Sequence, residues 1–126
     1  MRWLVGVLAL ALLAPSSGGW ASRDFETMPT ASAELLVFEI AKCGHCVRFR
    51  EQFGPRYARS KANLAAPMRF IDIAQQDPDA FPLSSLITVL PTLVLMRDGR
   101  EVDRLEGYPL PDLVFGMVKR ALPAAD

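Results

Sequence analysis

"ELLVFEIAKCGHCVRF" (residues 34–49) decides how the rest of this chain is read. Five of its first seven residues are apolar and the run is β-favouring, the composition of a mostly buried strand. That strand runs straight into Cys43-Gly44-His45-Cys46, and Cys46 begins a stripe with Phe49, Phe53 and Tyr57 at helical spacing. Arg48, Arg50, Glu51, Arg56 and Arg59 cover the opposite side, so an amphipathic helix is predicted, broken or kinked at Gly54-Pro55. The aromatic stripe reads as core.

A cysteine between strand and helix has a specific chemistry. Cys43 is expected at or near the helix N-cap, where free backbone N–H groups and the positive end of the dipole stabilise an anion. Such a site lowers a thiol pKa from ~8.5 into the range where the nucleophilic thiolate exists at neutral pH. Cys46, one turn later, lies on the same side within bridging distance and is more buried, which suits a resolving thiol. Attack by Cys43 on a disulfide forms a mixed disulfide, and attack by Cys46 on Cys43 releases it; the reverse steps oxidise a dithiol. Between them, His45 is expected to modulate the site, a donor or partial positive charge favouring the thiolate and making the oxidised form a stronger oxidant. The alternative is an exposed histidine without a role.

Other readings of these residues are weaker. The stretch holds both cysteines and the single histidine of the chain. A disulfide between positions three apart closes too small a loop to constrain the unfolded chain much. A structural zinc site takes four ligands, and haem attachment requires a histidine directly after the second cysteine, where Val47 stands. No metal is expected.

Outward from this centre, "MRFIDI" (68–73) reads as a second strand, and Asp77-Pro78 and Phe81-Pro82 can each start a short helix. "TLVLMRDGREVDRLEG" (92–107) is a β-hairpin turning at Asp98-Gly99. In "LPDLVFGMVKRAL" (110–122), Leu113, Val114, Met117, Val118 and Ala121 make the apolar face of a last helix. Pro91, just ahead of a strand, is unusual unless it begins the strand or is cis. The order is β-α-β-α-β-β-α, an α/β class with a mixed central sheet and helices on both faces.

The 126 residues suit one domain. "MRWLVGVLALALLAPSSGGWAS" (1–22) has the charged start, short apolar core and small-x-small end of a secretory signal, so cleavage after Ala21 is expected. Twelve apolar residues, Trp3 to Ala14, are too few to span a membrane, which takes about 20. Residues 22–33 then form a flexible lead-in, and 34–123 the folded domain of a soluble, exported chain. Losing Arg2 takes Lys+Arg from 14 to 13 against 14 Asp+Glu, a net charge of about −1. Near-neutral charge without a basic run offers no reason to expect nucleic acid as a partner.

With Cys-x-x-Cys after a strand and Leu90-Pro91-Thr92 before the hairpin, the chain resembles the thioredoxin superfamily from about Glu34 to Leu122. The resemblance implies a thiol–disulfide oxidoreductase with Cys43 and Cys46 catalytic and needing no cofactor beyond their redox-active disulfide. It further implies a cis Pro91 packed beside the cysteines, Leu90 offering backbone hydrogen bonds to a bound peptide strand, and Gly107 facing the site. Departures are visible. Lys42 stands where thioredoxins carry Trp, Gly44-His45 is the dipeptide of protein disulfide isomerases, and Val37 replaces the buried acid six positions before the first cysteine. Glu39, two residues on along the same strand face, is either a substitute proton relay for Cys46 or a solvated edge residue. The lead-in is too short for a first strand and helix, so a trimmed thioredoxin fold is expected.

"VFEIAKCGHCVRFREQFGPRY" (37–57) together with "EGYP" (106–109) is similar to the small periplasmic thioredoxin-like proteins that accompany bacterial sulfur-oxidation systems. That similarity implies a periplasmic monomer that reduces disulfides of partner proteins and takes electrons from a membrane thiol donor. A dithiol oxidase or isomerase, and a non-catalytic binding module on the same fold, stand as alternatives.

Overall fold

The computed structural model describes residues 32–122. The expected signal segment and nearly all of the lead-in lie outside them. The elements are β1 (Ala33–Glu39), α1 (Gly44–Gln52), α2 (Gly54–Ala58), α3 (Lys61–Ala65), β2 (Met68–Asp72), a 3₁₀ turn (Pro78–Ala80), β3 (Thr92–Arg97), β4 (Arg100–Glu106) and α4 (Pro111–Ala121). They form a four-stranded sheet in the order β2-β1-β3-β4. β1 and β2 are parallel, as the helical connection between them requires, while β1–β3 and β3–β4 are antiparallel. Among the described residues, no helix is long and apolar enough to cross a membrane.

Local chemistry sets the breaks. The first helical run divides at Phe53/Gly54, where Pro55 has no N–H to continue the ladder, and again at Ser60, whose hydroxyl caps α3 by accepting from the Asn63 N–H. Asp98 and Gly99 both take positive φ, 52° and 76°, the geometry of a two-residue hairpin turn.

β1 is central and covered on both faces, which is why "ELLVFE" carries no polar alternation. Leu35, Val37, Leu93 and Leu95 point to one face, where Phe49, Phe53 and Tyr57 meet Val114, Met117 and Val118 of α4. Burial pushes the Tyr57 phenol up, and its hydroxyl donates to the Ala66 carbonyl at 2.7 Å, tying α2 to the end of α3. Leu113, expected on the apolar face of α4, is instead 52% exposed. Val114, Met117 and Val118 are the residues of α4 that are buried in the core.

The second face departs from the expected helices on both sides. Leu36, Phe38, Val94, Met96 and Ile71 are covered by Ile73, Phe81, Leu83, Ile87 and Leu90, carried on a segment with a single 3₁₀ turn. Asp77-Pro78 does start that turn, the Asp77 carboxylate accepting from the Asp79 N–H at 2.9 Å. Phe81-Pro82 starts nothing. A residue before proline is driven toward extended backbone, and Phe81 lies at φ −97°, ψ 143°.

Candidate active site

β1 delivers the chain to the site and α1 begins there. Cys43 is the N-cap of α1, with extended backbone (φ −83°, ψ 111°), and the Cys46 N–H donates to its sulfur at 3.2 Å. The free donor of the first turn is thus aimed at the Cys43 sulfur, where it stabilises negative charge once the thiol ionises. Cys43 and Cys46 are joined as a disulfide with Cα atoms 5.2 Å apart. Cys43 is half-buried and Cys46 is buried, so a partner reaches the first sulfur and not the second. Gly44 and His45 are both exposed on the first turn, and a Cβ at Gly44 would meet no atom within 4 Å.

The loop before β3 completes the site from the other side. The Leu90–Pro91 peptide is cis, as the resemblance implied. The Leu90 carbonyl oxygen lies 3.7 Å from the Cys43 sulfur, although 47 residues separate them in sequence. Gly107 follows β4 directly at φ 82°, a conformation open to glycine, and its N–H donates to the Pro91 carbonyl at 2.8 Å. Leu90 therefore lies at Cys43, with Pro91 next to it in the chain and Gly107 hydrogen-bonded to Pro91.

Glu39 is not a solvated edge residue. It is buried, 8% exposed, on the α1 side of the central strand, where Arg50 of α1 donates to both of its carboxylate oxygens. Arg50 also lies over the Phe70 ring, 4.0 Å from its centroid. A cavity of about 310 Å³ behind the disulfide is lined by Glu39, Cys46, Arg50 and Asp72 among others. Most of its lining is apolar, with Glu39, Arg50, Glu51 and Asp72 as its charged groups. Val37, at the position of the usual buried acid, is fully buried apolar core.

The sequence pattern puts Arg50 only on a polar helix face. It stands four residues after Cys46, one helical turn along, and that spacing is the available signal. Among the described residues, no three His, Cys, Asp or Glu side chains are grouped to hold a metal ion.

Comparisons with known proteins agree with this geometry. No family model matches the chain. A thioredoxin H-type of Populus jackii is 30% identical over 94 residues, 75% of this chain and 64% of that protein. Thioredoxin H-type 1 of Nicotiana tabacum is 29% identical over 108 residues, 83% of this chain and 79% of its own. The chain thus spans a little under two thirds of the first relative. The crystal structure of the periplasmic thioredoxin SoxS from Paracoccus pantotrophus, in reduced form, superposes with a TM-score of 0.62 at 34% identity, covering 71% of this chain and 94% of that one. With a strand-to-helix Cys-x-x-Cys disulfide, a cis-proline loop against it and relatives of this likeness, the chain belongs to the thioredoxin superfamily of thiol–disulfide oxidoreductases.

Proposed function

We propose that this protein is a periplasmic disulfide reductase, exported by cleavage after Ala21 and working as a monomer on proteins of a sulfur-oxidation system. The observation that carries the reading is the cap geometry, with an accessible Cys43 sulfur receiving a backbone N–H and a buried Cys46 one turn behind. The likeness to a thioredoxin described as periplasmic supports the location.

In the reduced protein, the Cys43 thiolate attacks one sulfur of a partner disulfide. That S–S bond breaks, and the departing partner thiolate takes up a proton. Leu90 holds the partner's extended backbone beside the new mixed disulfide. Cys46 then loses its proton and attacks the Cys43 sulfur, expelling the second partner thiolate. Two electrons have passed to the partner, and the chain is left as the Cys43–Cys46 disulfide. A membrane dithiol donor returns it to the reduced form. Glu39, across the cavity from Cys46, accepts the Cys46 proton, while Gly44 and His45 shape the surface and field around Cys43.

The equilibrium potential of the Cys43–Cys46 couple, measured in residues 22–126 against glutathione and dithiothreitol buffers, tests the direction. A value near the ~−270 mV of thioredoxin is expected, and one near ~−120 mV identifies a dithiol oxidase instead. Failure to exchange with either buffer leaves only the binding module. Glu39→Gln is expected to slow resolution of the mixed disulfide on the order of a hundredfold, with its formation unchanged. Single-turnover kinetics separate the two steps, and an unaltered resolution rate would leave Glu39 as no more than the structural partner of Arg50.

A further inference from the structure

Arg104 and Glu101 lie on β4, three residues apart. In a regular strand that spacing puts two side chains on opposite faces. The β3–β4 register, however, shifts between Leu95 and Met96, where Asp103 pairs with Leu95 but Glu101 pairs with Met96. Val102 is the extra residue of this bulge and is 49% exposed. One inserted residue turns Glu101 to the face it would otherwise leave. Both residues now sit on the face of Val94 and Met96, beneath the irregular segment that covers it.

There they bind that segment's backbone. Arg104 Nε donates to Glu101 Oε1 at 2.7 Å and Nη2 to Oε2 at 3.0 Å. The same guanidinium donates to the Ser85 carbonyl at 2.9 Å and the Leu86 carbonyl at 3.1 Å, while Glu101 Oε2 accepts the Ser84 N–H at 2.8 Å. Arg104 Nη1 also lies 3.6 Å from Glu106. The pair is largely buried, with side chains 13% and 6% exposed. Ser84, Ser85 and Leu86 are themselves exposed, so little apolar contact holds them. At the far end, Thr92 donates its hydroxyl to the Val89 carbonyl at 2.5 Å.

We propose that Arg104 and Glu101 are positioning residues for partner recognition, a strap that holds segment 84–90 so that the Leu90 backbone stays beside Cys43. A segment lacking an internal helical ladder needs its carbonyls and N–H groups satisfied from outside, and the strap does this within four residues of Leu90. The inference rests on the proposed docking of partner backbone at Leu90. The Arg104 hydrogen bond holds the Glu101 carboxyl below the usual range, and the Glu101 hydrogen bond pushes Arg104 up. A depressed carboxyl contributes its stabilisation above its unfolded pKa and loses it as pH falls through the folded value. The strap is therefore intact at neutral pH and loosens only in acid.

Without the strap, the docking-competent population falls, and apparent partner affinity falls in the same proportion. Arg104→Met is expected to raise KM for a protein disulfide such as insulin about tenfold, leaving kcat and the Cys43–Cys46 potential within about twofold. The rate with a small aromatic disulfide, which needs no backbone pairing, should also hold. Backbone order parameters at 84–90 should drop from about 0.85 toward 0.6 while β1 and β3 keep theirs. Arg104→Lys, able to reach one carbonyl, should recover part of the loss. Should Arg104→Met not fold, Glu101→Gln carries the same test with a smaller shift. Unchanged order parameters at 84–90 overturn the strap whatever the activity. An unchanged insulin KM, or a small-disulfide rate falling in parallel, overturns its part in recognition. If the wild-type protein fails to reduce insulin, the proposed function fails, and with it the recognition role that rests upon it.

Discussion

Cys43→Ser is expected to abolish disulfide exchange, lowering the rate of insulin reduction at least about a thousandfold, because a serine hydroxyl neither ionises near neutral pH nor forms the mixed disulfide. The fold should survive. Serine is itself a favoured N-cap and can accept the N–H that Cys46 now gives to the Cys43 sulfur. Cys46→Ser should behave differently. Its Cys43 stays half-buried and capped, so attack on the partner proceeds but resolution does not, and the mixed disulfide accumulates. Non-reducing electrophoresis and intact mass of the trapped species distinguish the two variants. Exchange persisting in Cys43→Ser would sink the catalytic assignment, and a Cys46→Ser protein that traps nothing would sink the division of roles.

Phe49→Ala carries the largest expected stability cost, about 3–5 kcal/mol. Phe49 is fully buried one helical turn after Cys46. Its ring lies 5.1 Å from that of Phe53, 5.6 Å from Tyr108 and 6.5 Å from Phe70. Truncation removes the contact that presses α1 onto the sheet and leaves a void that the three neighbouring rings, held at separate points of the chain, cannot close together. In urea denaturation the midpoint should fall by about 2 M. Leu113→Ala, at a position 52% exposed, should change stability by less than about 0.5 kcal/mol. Equal effects at the two positions would mean that α1 is not held by this packing.

Much of the site was legible because its main parts are local. Cys43, Cys46 and the helix start occupy four consecutive positions, and cap chemistry acts within one turn. Pro91 was conspicuous as a proline at a strand edge, and Asp98-Gly99 as the two residues a tight hairpin needs. The sequence does not decide Glu39, because burial of one side chain on a strand depends on which neighbours the sheet supplies. Glu39 and Arg50 are 11 residues apart and meet only after α1 folds back over β1. The helix expected between β2 and β3 is a single 3₁₀ turn. Two X-Pro pairs license a helix start, but only Asp77 offers the side-chain cap, and apolar residues 83, 87 and 90 bury themselves without forming one.

By itself, the sequence determined the elements whose causes are near in the chain: the strand into Cys-x-x-Cys, the helix cap at Cys43, the hairpin and the amphipathic faces. Only tertiary structure decided what depends on distant contact. It laid Leu90 beside Cys43, turned Glu39 inward against Arg50, and through one bulged residue put Glu101 and Arg104 on the same face. Local propensity is a property of neighbouring residues. Burial, ion pairing and register arise when the sheet brings remote segments together, and a one-residue shift there reverses which side chains meet.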